Sequence, residues 1–188
     1  MTNKPNHLAV LIIFLMTVIT IEAGIYNYNI TNFACIPDEE YCLNHECTGV
    51  INPPHLPVYN ISCTFPTTFT SLKVRVVSYY KYTVYRKSMI DHTEDFCDYV
   101  DNRGYHPIGQ IFNNYFLKYS NFRNKKCPFK NGTYSYINLP LSLELLPPSF
   151  PDGDYRFDIH MSNQFKRQFL LMQMYATIRT KGLSELLS

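Results

Sequence analysis

The side chains able to do chemistry are spread along this chain without a common spacing. His45-Glu46-Cys47, with Cys42 just upstream, has the residue types of a metal site. Asp91-His92 and Glu94-Asp95 bring carboxylates close together in sequence, and a carboxylate pair is the minimum for glycosidic acid–base work. His55, His106 and His160 stand alone, and neither H-E-x-x-H nor H-x-x-x-H occurs. There is no G-x-S-x-G elbow to expose a nucleophile and no glycine-rich phosphate loop. Base, nucleophile and oxyanion donor do not converge. The reading is a non-enzyme with no metal and no cofactor, and the acidic cluster at 91–95 reads as a solvated loop.

The cysteines take a different part. Residues 1–23 have the form of a signal peptide. Lys4 supplies the positive start, Leu8–Ile21 is the apolar run, and Ala23 is a small residue at the cleavage point. The run is shorter than the ~20 residues a spanning helix needs. Residues 24–188 then form the secreted, extracellular product, expected as one domain. All six cysteines (Cys35, Cys42, Cys47, Cys63, Cys97, Cys127) follow the cleavage point. An even number in an exported chain implies three disulfides, so Cys42 and Cys47 read as bridge members rather than metal ligands. Asn29, Asn60 and Asn131 each open an N-x-[ST] sequon, which fits a secreted glycoprotein.

Composition narrows the class. The full chain of 188 residues is 46% hydrophobic and 17% charged, with sixteen Tyr and thirteen Phe. That is too apolar and too weakly charged for disorder. A net charge of +2 without a basic run excludes a polybasic nucleic-acid binder.

The elements that must position these residues are mostly strands. Residues 24–57 read as irregular and end in the proline-dense Pro53–Pro57. Residues 58–66 resume strand composition. Residues 72–86 alternate, with Leu72, Val74, Val76 and Tyr80 on one face and Lys73, Arg75 and Lys81 on the other. Near 107–119 the period changes. Ile108, Ile111, Phe112, Tyr115, Phe116 and Tyr119 follow helical spacing behind Pro107, giving one main α-helix. Residues 133–146 return to β. Pro151-Asp152-Gly153-Asp154 reads as a turn, with Gly153 able to take positive φ. Tyr155, Phe157 and Ile159 then alternate, and a polar break at Ser162–Gln164 leads to Leu170, Met172, Met174, Ala176 and Ile178 on one face of 168–180. Two such strands predict an antiparallel hairpin. The fold class is mainly β: an antiparallel two-sheet sandwich or cup with one helix.

Residues 95–129 carry a resemblance. Asp95-Phe96-Cys97-Asp98-Tyr99, Pro107-Ile108, the helix, Tyr119-Ser120-Asn121 and Cys127-Pro128-Phe129 resemble an insect-expanded family of secreted proteins with one domain of unknown function. Pro151-Asp152-Gly153-Asp154-Tyr155 matches that family's P-x-G-x-Y turn and strand, and Ile30–Cys35 is similar to its opening strand. The family is allied to chemosensory Che-type proteins and, distantly, to the lipid-recognition (ML) superfamily of the ganglioside activator and Niemann–Pick type C sterol carriers. The resemblance implies an ML-like β-cup, a lipid or lipid-like ligand, and a chemosensory or pheromone-related setting. It also implies Cys97–Cys127 around the helix and Cys35–Cys47 near the N-terminus, with Cys42–Cys63 as an additional pair. The rival set, Cys35–Cys42 with Cys47–Cys63, stays open.

Two functions follow. One is a secreted carrier of a lipid or small hydrophobic molecule, with Val74, Val76, Phe112, Leu170, Met172 and Met174 in the interior and lining a cavity. The other is a protein-binding module, a ligand or receptor accessory. It would have a filled core and an exposed aromatic patch, for which the many tyrosines are suited.

Overall fold

A computed structural model describes residues 26–50, 57–101, 115–122, 125–141 and 150–182. The proposed signal peptide, residues 107–114 of the expected helix and Phe112 lie outside that set. Among the described residues eight strands and a short helix follow in chain order: β1 Tyr26–Pro37, β2 Leu43–Val50, β3 Val58–Phe65, β4 Leu72–Lys81, β5 Tyr85–Asp95, α1 Phe96–Val100, β6 Gly132–Pro140, β7 Gly153–Asn163 and β8 Gln168–Thr180. Residues 115–118 are also helical, at the C-terminal end of the segment where helix was expected.

The strands form two antiparallel sheets. One has five strands in the order β1-β8-β7-β4-β5, the other three in the order β2-β3-β6. The period-two pattern decides which faces meet. On β8, Leu170, Met172, Met174, Ala176 and Ile178 are all buried, while the residues between them are half-buried. On β3, Tyr59, Ile61, Cys63 and Phe65 are buried in the same alternation. Their apolar faces join in one core, which is the arrangement of a β-sandwich or cup.

Several sequence readings change. Residues 24–57 were expected to be irregular, yet they hold β1 and β2. Strand β1 carries a register shift between Ile30 and Asn32, which moves the inward set from Tyr28 and Ile30 to Phe33 and Cys35 and breaks the alternation. Strand β2 is an edge with one half-buried residue, Cys47, among exposed ones, so it shows no hydrophobic period. The segment 72–86 is not one strand. It turns at residues 82–84 and returns as β5, which takes in the supposed loop at 91–95. The β7–β8 hairpin forms as predicted.

Gly153 needs space rather than an unusual φ. Gly132 is the glycine with positive φ among the described residues. A Cβ on Gly153 would lie 2.7 Å from Cζ of Tyr80 and closer still to Cε2. The Tyr80 hydroxyl donates to the Asp152 carbonyl at 3.1 Å, and the Tyr155 hydroxyl donates to the Pro151 carbonyl at 2.8 Å. The P-x-G-x-Y segment is thus a seat for two tyrosine rings, whose centroids are 5.1 Å apart. Gly153→Ala should destabilise the fold by about 1–3 kcal/mol through overpacking, read as a lower midpoint in chemical denaturation. A change within about 0.5 kcal/mol, as for an ordinary surface site, would contradict this seat.

Candidate functional site: the space between the sheets

The structure pairs Cys35 with Cys47, Cys42 with Cys63, and Cys97 with Cys127. The first bridge ties β1 to β2, the outer strands of the two sheets on one side. The Phe33 and Tyr59 rings meet there across the sheets at a tilt, with centroids 4.4 Å apart. The third bridge closes a separation of 30 residues on the chain between β5 and β6, worth about 3–4 kcal/mol in the chain-entropy model.

One end of the sandwich is filled with rings. Phe65 of β3 stacks on Phe69 at 4.3 Å and Tyr134 of β6 at 4.4 Å, and meets Phe169 of β8 edge-on at 5.3 Å. Phe122 and Phe129 extend the cluster, at 4.7 and 5.6 Å from Tyr134. Every one of these rings is buried. The other end is closed by Tyr155, Phe157 and Phe150, with Phe150 4.7 Å from Tyr155.

The middle differs. On the inner face of β4, Leu72 and Ser78 are fully buried, whereas Val74 and Val76 between them are only half-buried. On β7, Tyr155, Phe157 and Met161 are buried, whereas Ile159, which pairs with Val76, is half-buried. Ile90 of β5 is half-buried too. Across the interior stands Tyr136 of β6, half-buried between Phe116 and Phe122 at 6.2 and 5.9 Å. Burial pushes its hydroxyl well above the usual phenol range. Along the β5 edge the same inner face carries His92 and Glu94, opposite Val76 and Val74 and bonded to each other at 2.8 Å. On the outer face Arg75 and Lys87 both bind Asp91, beside buried Val77, and these bonds hold its carboxyl below the usual carboxylate range.

Of the expected interior residues, Val74, Val76, Leu170, Met172 and Met174 lie on inner faces. Leu170, Met172 and Met174 are buried, Val74 and Val76 are half-buried, and Phe112 is outside the described residues. Sequence reading missed Ile90 and Tyr136 as neighbours of the same space. The alternation beginning at Tyr155 already pointed to Ile159. For Tyr136 the clue was available in its spacing of two from Tyr134. Asn29 and Asn131 are exposed. Asn60 is half-buried, its side-chain oxygen accepting the Asn138 N–H at 2.8 Å. Among the described residues no group of three or more His, Cys, Asp or Glu is placed to hold a metal ion, and no helix is long and apolar enough to cross a membrane.

The tyrosines inside make a pH prediction. Burial, with lesser help from neighbouring charges, pushes the Tyr155 phenol up to about 12, and burial also raises Tyr59 and Tyr134. Unfolded phenols lose their protons near pH 10. Between about pH 10 and 12 the unfolded chain therefore binds fewer protons than the folded one, and stability falls as pH rises. Alkaline titration followed at the tyrosinate absorbance should show an early group of exposed phenols, then a second rise that coincides with loss of near-ultraviolet dichroism. A single smooth titration with the fold intact would contradict the burial.

Residues 74–157 match the model of a family described as a protein of unknown function (DUF1091). The match runs from Val74 on β4 to Phe157 on β7, and so includes Cys97–Cys127 and the P-x-G-x-Y seat. Among solved structures the chain is similar to chicken MD-1 in a crystal structure complexed with lipid IVa. The identity is 12% and the TM-score 0.37, over 81% of this chain and 88% of that one. No curated protein matches the chain.

Proposed function

We propose that this protein is a secreted, non-enzymatic carrier that holds a lipid or other small hydrophobic ligand between its two sheets, in a chemosensory or related setting. The observation that carries the reading is the half-buried middle. In a filled sandwich the centre of each inner face is its most buried part, since interiors pack as densely as organic crystals. Here the ends are closed, but the middle of the β5-β4-β7 side, at Val74, Val76, Ile90 and Ile159, is not, while Ile61, Met172 and Met174 facing or flanking it are buried. An apolar lining with a few polar groups, such as Tyr136, His92 and Glu94, is the usual composition of a small-molecule site. Met161, Met172 and Met174 on the inner faces add side chains that adapt to ligand shape.

Secretion is supported by three disulfides, which persist in oxidising compartments. Glycans are proposed at Asn29, Asn60 and Asn131, and removal of N-glycans should sharpen and lower the mass of the secreted product.

The test of the carrier is binding of a fluorescent fatty-acid probe to delipidated protein. Saturable enhancement at about one probe per chain, reversed by unlabelled lipids, is the expected result. Absence of any saturable signal would count against the carrier and for a filled module that binds proteins.

A further inference from the structure

The β4–β5 hairpin ends in three residues, Tyr82, Thr83 and Val84, between the paired Lys81 and Tyr85. The Tyr82 N–H donates to the Val84 carbonyl at 3.2 Å and closes the turn. Tyr82 is 66% and Val84 60% exposed, among the most exposed large apolar residues described. Lys81 and Arg86 flank them, both exposed and without a carboxylate partner among the described residues. The Arg86 guanidinium lies 5.9 Å from the Tyr82 ring. Lys87, the next cation, shares the Asp91 carboxylate with Arg75.

The tip is also braced. Tyr80 lies between Tyr82, at 4.8 Å, and Tyr155, at 5.1 Å. The acidic groups at this end are engaged within the chain. Asp152 accepts bonds from the Thr180 N–H and hydroxyl, and Asp154 accepts one from Thr177 and lies 3.7 Å from Arg179.

A braced convex tip with one amphipathic ring, one aliphatic side chain and two unpaired cations has the chemistry of a bilayer interface. Tyrosine rings settle at headgroup level, the aliphatic group reaches below, and each cation gains from anionic headgroups. A peptide partner would need a groove or a free strand edge; the turn itself has neither, and the adjoining edge strand β5 is bulged and interrupted between Lys87 and Asp91. We propose that the β4–β5 hairpin docks this protein onto anionic lipid surfaces. The purpose of docking rests on the carrier reading, because the same two strands carry Val74, Val76 and Ile90 to the half-buried middle.

Co-sedimentation of the full secreted protein tests this, with vesicles of phosphatidylcholine alone or with about a third phosphatidylserine. The expected result is salt-sensitive binding to the phosphatidylserine vesicles and little to the neutral ones. K81E/R86E should lower the partition coefficient at least about tenfold, and Y82S/V84S several-fold. Both variants should keep wild-type secretion and fatty-acid-probe binding, and K81E/R86E the wild-type thermal transition, because the tip meets the interior only through the Tyr82–Tyr80 contact. Wild-type protein that does not pellet with phosphatidylserine vesicles, or variants that pellet as wild type does, would overturn the docking. Protein that pellets as expected but takes up no probe would leave the docking standing and refute the carrier.

Discussion

Replacing Phe65 with alanine is expected to cost about 3–5 kcal/mol, the range for deleting a buried aromatic ring. Few side chains here join so much. Phe65 is 2% exposed and belongs to the three-stranded sheet. It stacks on Phe69 of the connection and on Tyr134 of the neighbouring strand, and it meets Phe169 of the opposite sheet. Its loss removes contacts to both sheets and leaves a void between rings too rigid to collapse into it. Domains are stable by only about 5–15 kcal/mol, so the variant should be near its threshold even with all disulfides formed. Denaturant unfolding of oxidised protein measures the effect. A loss below about 1 kcal/mol would mean that the aromatic end is not the packed region described.

Val76→Phe should do the opposite. Val76 faces the interior, pairs with Ile159 on one side and His92 on the other, and is half-buried. A ring added there projects into the middle of the sheets. In a filled core this overpacking would cost about 1–3 kcal/mol. In an open one the ring gains apolar contact, and stability should stay within about 1 kcal/mol of wild type while affinity for the fatty-acid probe falls at least about tenfold. Val76→Ala should leave both nearly unchanged, since the half-buried side chain gives up little area. A Val76→Phe protein that is strongly destabilised, or that binds probe as before, would contradict the open middle.

How much of this was legible before the structure depends on where the physical constraint acts. Strands β4, β7 and β8 declare themselves because one face is apolar along most of their length, and a one-sided apolar face writes a period of two into the residues. Strand β5 does not. Its inner face carries His92 and Glu94 at the sheet edge, its outer face carries Asp91 and Lys87, and two extra residues separate Lys87 from Asp91 opposite Val77–Tyr79. A polar, bulged edge strand has the composition of a loop. The reasons differ for β1, where the shift at Thr31 exchanges faces, and for β2, where only Cys47 turns inward.

The aromatic end was invisible for another reason. Phe65 and Phe69 are close on the chain, but Phe129 and Phe169 come from distant stretches and join them only when the sheets assemble. No local period could assemble them. The middle was legible in half. Alternation assigned Val74, Val76, Leu170, Met172 and Met174 to inner faces, but a valine that lines a space and a valine that fills one follow the same pattern. The degree of burial separates them, and it is a property of the two sheets together.

Native mass spectrometry of the protein as it is secreted, without delipidation, tests the central claim most directly. The carrier account predicts a mass above that of the deglycosylated polypeptide by one small amphiphile, removable by organic extraction and missing from Val76→Phe. A spectrum with the polypeptide mass alone, from wild-type protein that also takes up no lipid when offered it, would contradict the account.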